Sequence, residues 1–149
     1  MEGNMLIQHL GNYRWEDVPV LSYKEEGTHF KNITRQILSE GLADIPCQLR
    51  YFEIASNGYS TLEHHQHAHL VIILRGAGKA LLGKNICPVQ EKDVMTIPAH
   101  TWHQFRATEG IPLGFLCLVN IDRDKAILPT ENDLELLRRD PDIAAFIRS

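Results

Sequence analysis

The amino-acid sequence predicts an all-β fold, a sandwich or barrel, with short helices at its C-terminal end. Three observations carry this. Between Gln48 and Ile121, short apolar runs alternate with turn signals at the spacing of strands. No long stretch there has the apolar period of a helix. After Ile121 the pattern changes, and two helix-start signatures follow in close succession.

In chain order, residues 1–46 contain Tyr13, Trp15, Phe30 and Ile33 at irregular spacing, and are read as strands and loops that wrap the barrel. QLRYFEIA (Gln48–Ala55) is the next strand, and Asn57-Gly58 after it predicts a hairpin turn, because both residues tolerate positive φ. TLEHH, HLVIILRG and the piece Gly78–Leu82 follow, then a turn at Gly83-Lys84-Asn85. ICPVQ, DVMTIP, HQFRA and PLGFLCLVNI complete the strands. LVIIL and LGFLCLV are apolar on both faces. One face fills the barrel and the other needs cover from the terminal segments, a second subunit, or both; a homodimer is expected. In TENDLELLRRD, Thr130 is the expected N-cap, with acids in the first turn and arginines in the last. Asp140-Pro141 then opens a second short helix, PDIAAFIR.

A chain of 149 residues suffices for one domain with a real core. The expected division is an N-terminal extension over 1–46, a barrel core over 47–121 and a helical segment over 122–149. Formal net charge is -4 and the pI is near 6.0. That balance argues against nucleic-acid or anionic-membrane partners, which call for a basic face. The first residues lack a basic stretch followed by an apolar one, so no signal peptide is expected. The apolar runs are far shorter than the roughly 20 residues needed to cross a bilayer. Cys47, Cys87 and Cys117 are odd in number and widely spaced, which fits reduced thiols in a cytoplasmic protein; Cys117 reads as core.

Four of the eight histidines crowd between Glu63 and His69. If this stretch is strand, Glu63, His65, His67 and His69 share one face, with His64, Gln66 and Ala68 on the other. His103 follows in DVMTIPAHTWHQF, a strand, a proline turn and another strand, and an antiparallel barrel could bring it opposite the first group. Three imidazoles and a carboxylate converging inside a barrel form a site for Mn, Fe, Co, Ni, Cu or Zn. Such ligands must be neutral, so affinity is expected to fall below a pH of roughly 6.5. His9 and His29 read as surface residues. His100 and Trp102 read as turn residues, both also candidates for the pocket rim.

These residues resemble the cupin family, small jelly-roll barrels with two motifs, roughly G(x)5HxH(x)3–4E(x)6G and G(x)5PxG(x)2H(x)3N. The second resembles residues 92–107: Asp93 to Pro98 supply strand and proline, Ala99 to Trp102 the turn, and His103 the histidine. Lys92 and His100 stand where the family has glycine, and Ala107 where it has asparagine. The first runs from Gly58 to Gly76. Counting forward from Gly58 puts the first ligand at His64 and the second at Gln66; counting backward from Gly76 gives Glu63, His65 and His69. The backward count keeps the ligands on one face and is preferred. The resemblance thus implies one divalent transition metal per chain (Fe, Mn, Ni or Zn) on Glu63, His65, His69 and His103, with His67 as alternative ligand. Val71, Ile73 and Phe105 would shape the pocket.

Cupins include dioxygenases, isomerases, lyases and pure binding or sensing proteins. The leading expectation is a metal-dependent oxidoreductase, of dioxygenase type, acting on a small polar molecule. An isomerase or lyase would need a separate acid or base, for which His67 and Glu53 are candidates. A non-catalytic sensor is the third reading. Arg50, Tyr51 and Glu53 lie on one strand whose inward face is undecided.

Overall fold

The computed structural model describes residues 5–22 and 30–149 of the chain. His29 lies outside them. Ten strands occur among the described residues: β1 (His9–Gly11), β2 (Arg14–Trp15), β3 (Leu21–Ser22), β4 (Lys31–Ser39), β5 (Cys47–Tyr59), β6 (His69–Leu82), β7 (Asn85–Gln90), β8 (Val94–Ile97), β9 (His103–Ala107) and β10 (Leu113–Asn120). Helices α1 (Glu131–Leu137) and α2 (Pro141–Phe146) follow. β5 pairs with β10, β10 with β6, β6 with β9 and β9 with β5, so the ladder closes into a barrel. β7 and β8 extend it beside β6, and β4 and β3 beside β5.

Two expectations about strand ends need correction. Asn57-Gly58 makes no hairpin turn: β5 runs through it, and Asn57 takes φ 65° inside the strand. The pairing with β4 slips there, from Ile33↔Ile54 to Lys31↔Tyr59. The positive φ serves to bend β5 away from β10 and onto β9. HLVIILRG and Gly78–Leu82 are likewise one strand, β6. It turns at Gly76, whose φ of 73° and approach to the Pro112 carbonyl leave no room for a Cβ. The turn at Gly83 and Lys84 forms as expected, with Gly83 at φ 66°.

Inward residues of the barrel strands, among them Ile54, Val71, Ile73, Phe105, Leu113 and Phe115, form the main core. A second cluster seats the helices, with Leu134, Ile143 and Phe146 packing against Leu62, Leu81 and Trp102. Thr130 caps α1 in a reciprocal arrangement with Asp133, and Asp140 caps α2 ahead of Pro141. Arg138 and Arg139 fall just past α1 rather than in its last turn. Part of the outer sheet is covered by the β1–β2 hairpin, where Tyr13 stacks on Tyr51 with ring centroids 5.6 Å apart. Leu70, Ile72 and Val94 remain exposed on the same side of the sheet.

Candidate metal centre and its cavity

A cavity of about 640 Å³ opens at one end of the barrel. His69 enters from the start of β6, His103 from the start of β9, and Glu63 and His65 from the segment before β6. That segment is not strand, contrary to expectation. Glu63 and His103 exchange backbone hydrogen bonds as an isolated bridge, His64 does the same with Ile127, and a bend follows at Gln66 and His67. The bend is pinned by Asp124, whose carboxylate accepts from the backbone N–H of Gln66 at 2.8 Å and of His67 at 3.1 Å. It also accepts from Nδ1 of His67 at 2.8 Å. These donors, the Gln66 N–H foremost, hold the Asp124 carboxyl well below the usual carboxylate range. The histidines therefore converge because an anchored loop folds back, not because a strand alternates.

One nitrogen each of His65, His69 and His103 lies within 4.8 Å of the other two, a group that could hold a metal ion. Nε2 of His65 and Nε2 of His69 are 2.7 Å apart. The opposite ring nitrogens are all engaged. Nδ1 of His65 faces the His67 carbonyl at 2.7 Å, and Nδ1 of His103 faces the Thr101 carbonyl at 2.9 Å. Carbonyls only accept, so those Nδ1 atoms carry the proton and each Nε2 presents a lone pair. Nδ1 of His69 faces Sγ of Cys117 at 3.0 Å, and a thiol can serve as donor or acceptor there. Two lone-pair nitrogens with oriented backs, joined by His69 Nε2 when the sulfur accepts from its Nδ1–H, are what a borderline divalent cation takes. Oε1 of Glu63 lies 3.9 Å from Nε2 of His103, beside this group.

Burial keeps the set neutral. It lowers His103 to about 4 and His69 to about 2, with neighbouring imidazoles and Arg50 adding to the shift of His69. His65 is lowered too, again mainly by burial. Neutral imidazole is the ligating form.

His67 stacks on His65 with centroids 3.7 Å apart and lines the cavity, while Asp124 holds its Nδ1. His64 points away, its ring edge-on to Trp102 at 4.4 Å. Trp102 belongs to that outer cluster and does not line the cavity. Phe105 does, whereas Val71 and Ile73 are sealed in the core beneath. His100 and His9 are exposed. On β5 Arg50 and Phe52 line the cavity, while Tyr51 lies against the N-terminal hairpin and Glu53 pairs with Arg75 and Arg14. Glu53 is thus unavailable as an acid or base in the site.

Arg35, Arg123, Lys125, Asp124 and Cys117 also line the cavity, and sequence reasoning gave none of them a role there. They come from β4, β10 and the segment after β10. The only sequence signal is the charged run Asp122 to Lys125 directly after an apolar strand.

A closed jelly-roll barrel that gathers three imidazoles in an end cavity defines a cupin, and this chain belongs to that family: a sequence model described as Cupin domain matches residues 50–119. Beyond the family, the chain is 52% identical over 136 residues to a Rhodospirillum rubrum protein named 1-methylthio-D-xylulose 5-phosphate methylsulfurylase. The match covers 91% of this chain and 86% of that one. A cupin 2 conserved barrel domain protein from Rhodopseudomonas palustris superposes with TM-score 0.91 at 46% identity, covering 97% of this chain and 99% of the other. A cupin-2 domain structure from Rhodospirillum rubrum gives TM-score 0.85 at 52% identity, with 90% of each chain covered. No helix among the described residues is long and apolar enough to cross a membrane.

Proposed function

We propose that this cupin is a metal-dependent enzyme acting on a phosphorylated ketose of the kind its Rhodospirillum rubrum relative is named for, 1-methylthio-D-xylulose 5-phosphate. The observation that carries the reading is the convergence of His65, His69 and His103, one ring nitrogen of each within 4.8 Å of the other two, in a cavity large enough for such a molecule. His65, His69, His103 and Glu63 hold one divalent transition metal ion. When bound, such an ion supplies Lewis-acid polarisation and holds neighbouring oxygens of a substrate. The relative's name puts a ketone beside the carbon that bears sulfur, and a ketone oxygen and its neighbouring hydroxyl are oxygens of that kind. This favours Lewis-acid chemistry over the dioxygenase chemistry expected from sequence.

The chain's own groups do the rest. Chemistry at a carbon next to a ketone requires a proton to be given or taken there. His67 lines the cavity with its Nδ1 fixed by Asp124, so its Nε2 is the atom that holds or delivers that proton. Phe52, Phe105 and Phe115 wall the cavity and exclude water from the carbon skeleton. A second copy of the chain covers Leu70, Ile72 and Val94, so the working unit is a homodimer.

The test is turnover of 1-methylthio-D-xylulose 5-phosphate by protein carrying near one equivalent of metal, beside His65→Ala and His103→Ala. Both variants are expected to lose metal and turnover together. Turnover unaffected by metal removal would overturn the reading.

A further inference from the structure

The cavity that holds the histidines also carries an unusual charge. Arg35 from β4, Arg50 from β5 and Arg123 from the segment after β10 all line it. Arg50 is 7% exposed. Its Nη2 reaches Sγ of Cys117 at 3.3 Å and its guanidinium lies 4.9 Å over the Phe52 ring, but its buried Nε has no hydrogen-bond partner. The buried Nε of Arg35 has none either. Arg123 donates to Gln48 Oε1 at 3.1 Å and to the carbonyls of Asn120 and Ile121. Among the described residues, none of the three forms an ion pair with a carboxylate.

Burying the Arg50 guanidinium beside two others is costly unless a counter-charge joins them. The three are close enough to act on each other: Arg50 and Arg35 both push Arg123 downward, behind its loss of hydration. The cavity's own carboxylates do not answer the need. Glu63 sits beside His103, and Asp124 spends its oxygens on Gln66 and His67. Guanidinium groups that line one cavity with no carboxylate partner, on residues that cannot lose their charge, are a receptor for an anion. A cluster of three guanidiniums matches a tetrahedral dianion better than a single carboxylate.

We infer that Arg35, Arg50 and Arg123 form the subsite for a phosphate monoester, the charged tail of a substrate whose other end is held at the histidines. This deepens the proposed function and rests on it for the identity of the other end. Arg50 and His69 both touch Cys117, at 3.3 and 3.0 Å, so the arginines and the histidines lie within reach of one small molecule.

Calorimetry on metal-loaded, full-length protein tests this with inorganic phosphate, D-xylulose 5-phosphate and D-xylulose. The sugar phosphate is expected to bind at least tenfold tighter than the free sugar, and inorganic phosphate to compete with it one-to-one. Arg50→Gln and Arg123→Gln are each expected to weaken phosphate at least tenfold with metal content unchanged. Arg123 stands at the rim, so its variant remains decisive if Arg50→Gln fails to fold. Equal affinity for sugar and sugar phosphate, or phosphate affinity unmoved in the variants, would overturn the subsite. Phosphate affinity that depends on these arginines, without turnover of the methylthio ketose, would support the subsite and overturn only the functional reading. Turnover with a KM indifferent to both substitutions would do the reverse.

Discussion

Sγ of Cys117 sits 3.0 Å from Nδ1 of His69, across the ring from the nitrogen that faces His65. This contact orients the His69 ring, with Nδ1 toward the sulfur and Nε2 toward the cavity. With Nδ1–H directed at sulfur, Nε2 is free to ligate. Removing the sulfur leaves the ring unoriented, and losses of this kind cost about 10–100-fold in metal affinity. Cys117→Ala is expected to weaken metal binding about tenfold or more in chelator competition, and Cys117→Ser to restore part of the loss. Equal affinity in all three proteins would contradict the orienting role.

The same thiol is buried at 1% exposure, and loss of hydration raises its pKa despite the nearby Arg50. Thiolate is the reactive form, so Cys117 is expected to alkylate well after Cys47 and Cys87, which are partly exposed. Peptide mass spectrometry after brief iodoacetamide treatment reads the order directly. Early labelling of Cys117 in folded protein would show that the barrel end opens readily to solvent.

Acid should destabilise the metal-free protein in a defined window. His103 is held to about 4 and His69 to about 2 by burial, while the unfolded chain titrates both near 6.5. Between about 6.5 and 4 the unfolded state binds more protons, so stability falls as pH falls, by up to ~1.4 kcal/mol per pH unit for each group. Their contribution is fully present above 6.5. Urea midpoints at pH 7.5, 6.0 and 4.5 should decline in that order, and less steeply in His103→Gln. Metal release moves with the same shift. The ordinary histidine pKa places release just below 6.5, whereas these buried imidazoles should keep the ion at pH 5.5.

Asp124 links function to the loop that carries His65 and His67. Its three hydrogen bonds close the bend, so Asp124→Ala should loosen the loop and free the His67 ring. Turnover at saturating substrate is expected to fall about tenfold or more, with a smaller change in KM, because the anchored proton carrier is lost. Steady-state kinetics on the metal-loaded variant separate the two effects. Unchanged turnover would exclude His67 from that role.

The strand series, the turn at Gly83 and Lys84 and the caps at Thr130 and Asp140 were legible because each is a local signal. The crowding of His65, His67 and His69 was legible for the same reason, and His103 through its spacing from the Pro98 turn. The bend at Asn57-Gly58 was not: positive φ serves a turn or a kinked strand equally well, and the choice is made by β9, far along the chain. The roles of Asp124 and of Arg35, Arg50 and Arg123 were hidden too. Barrel closure brings them together from β4, β5 and the segment after β10, and no short-range pattern marks which face of β5 turns inward.

The most direct measurement is anomalous X-ray diffraction from crystals of protein loaded with manganese, nickel or zinc. One strong peak per chain is expected within bonding distance of Nε2 of His65, His69 and His103, with a Glu63 carboxylate oxygen beside it. A peak on the outer His64 and His100 pair instead, or none at the three imidazoles, would contradict a metal centre built on those residues.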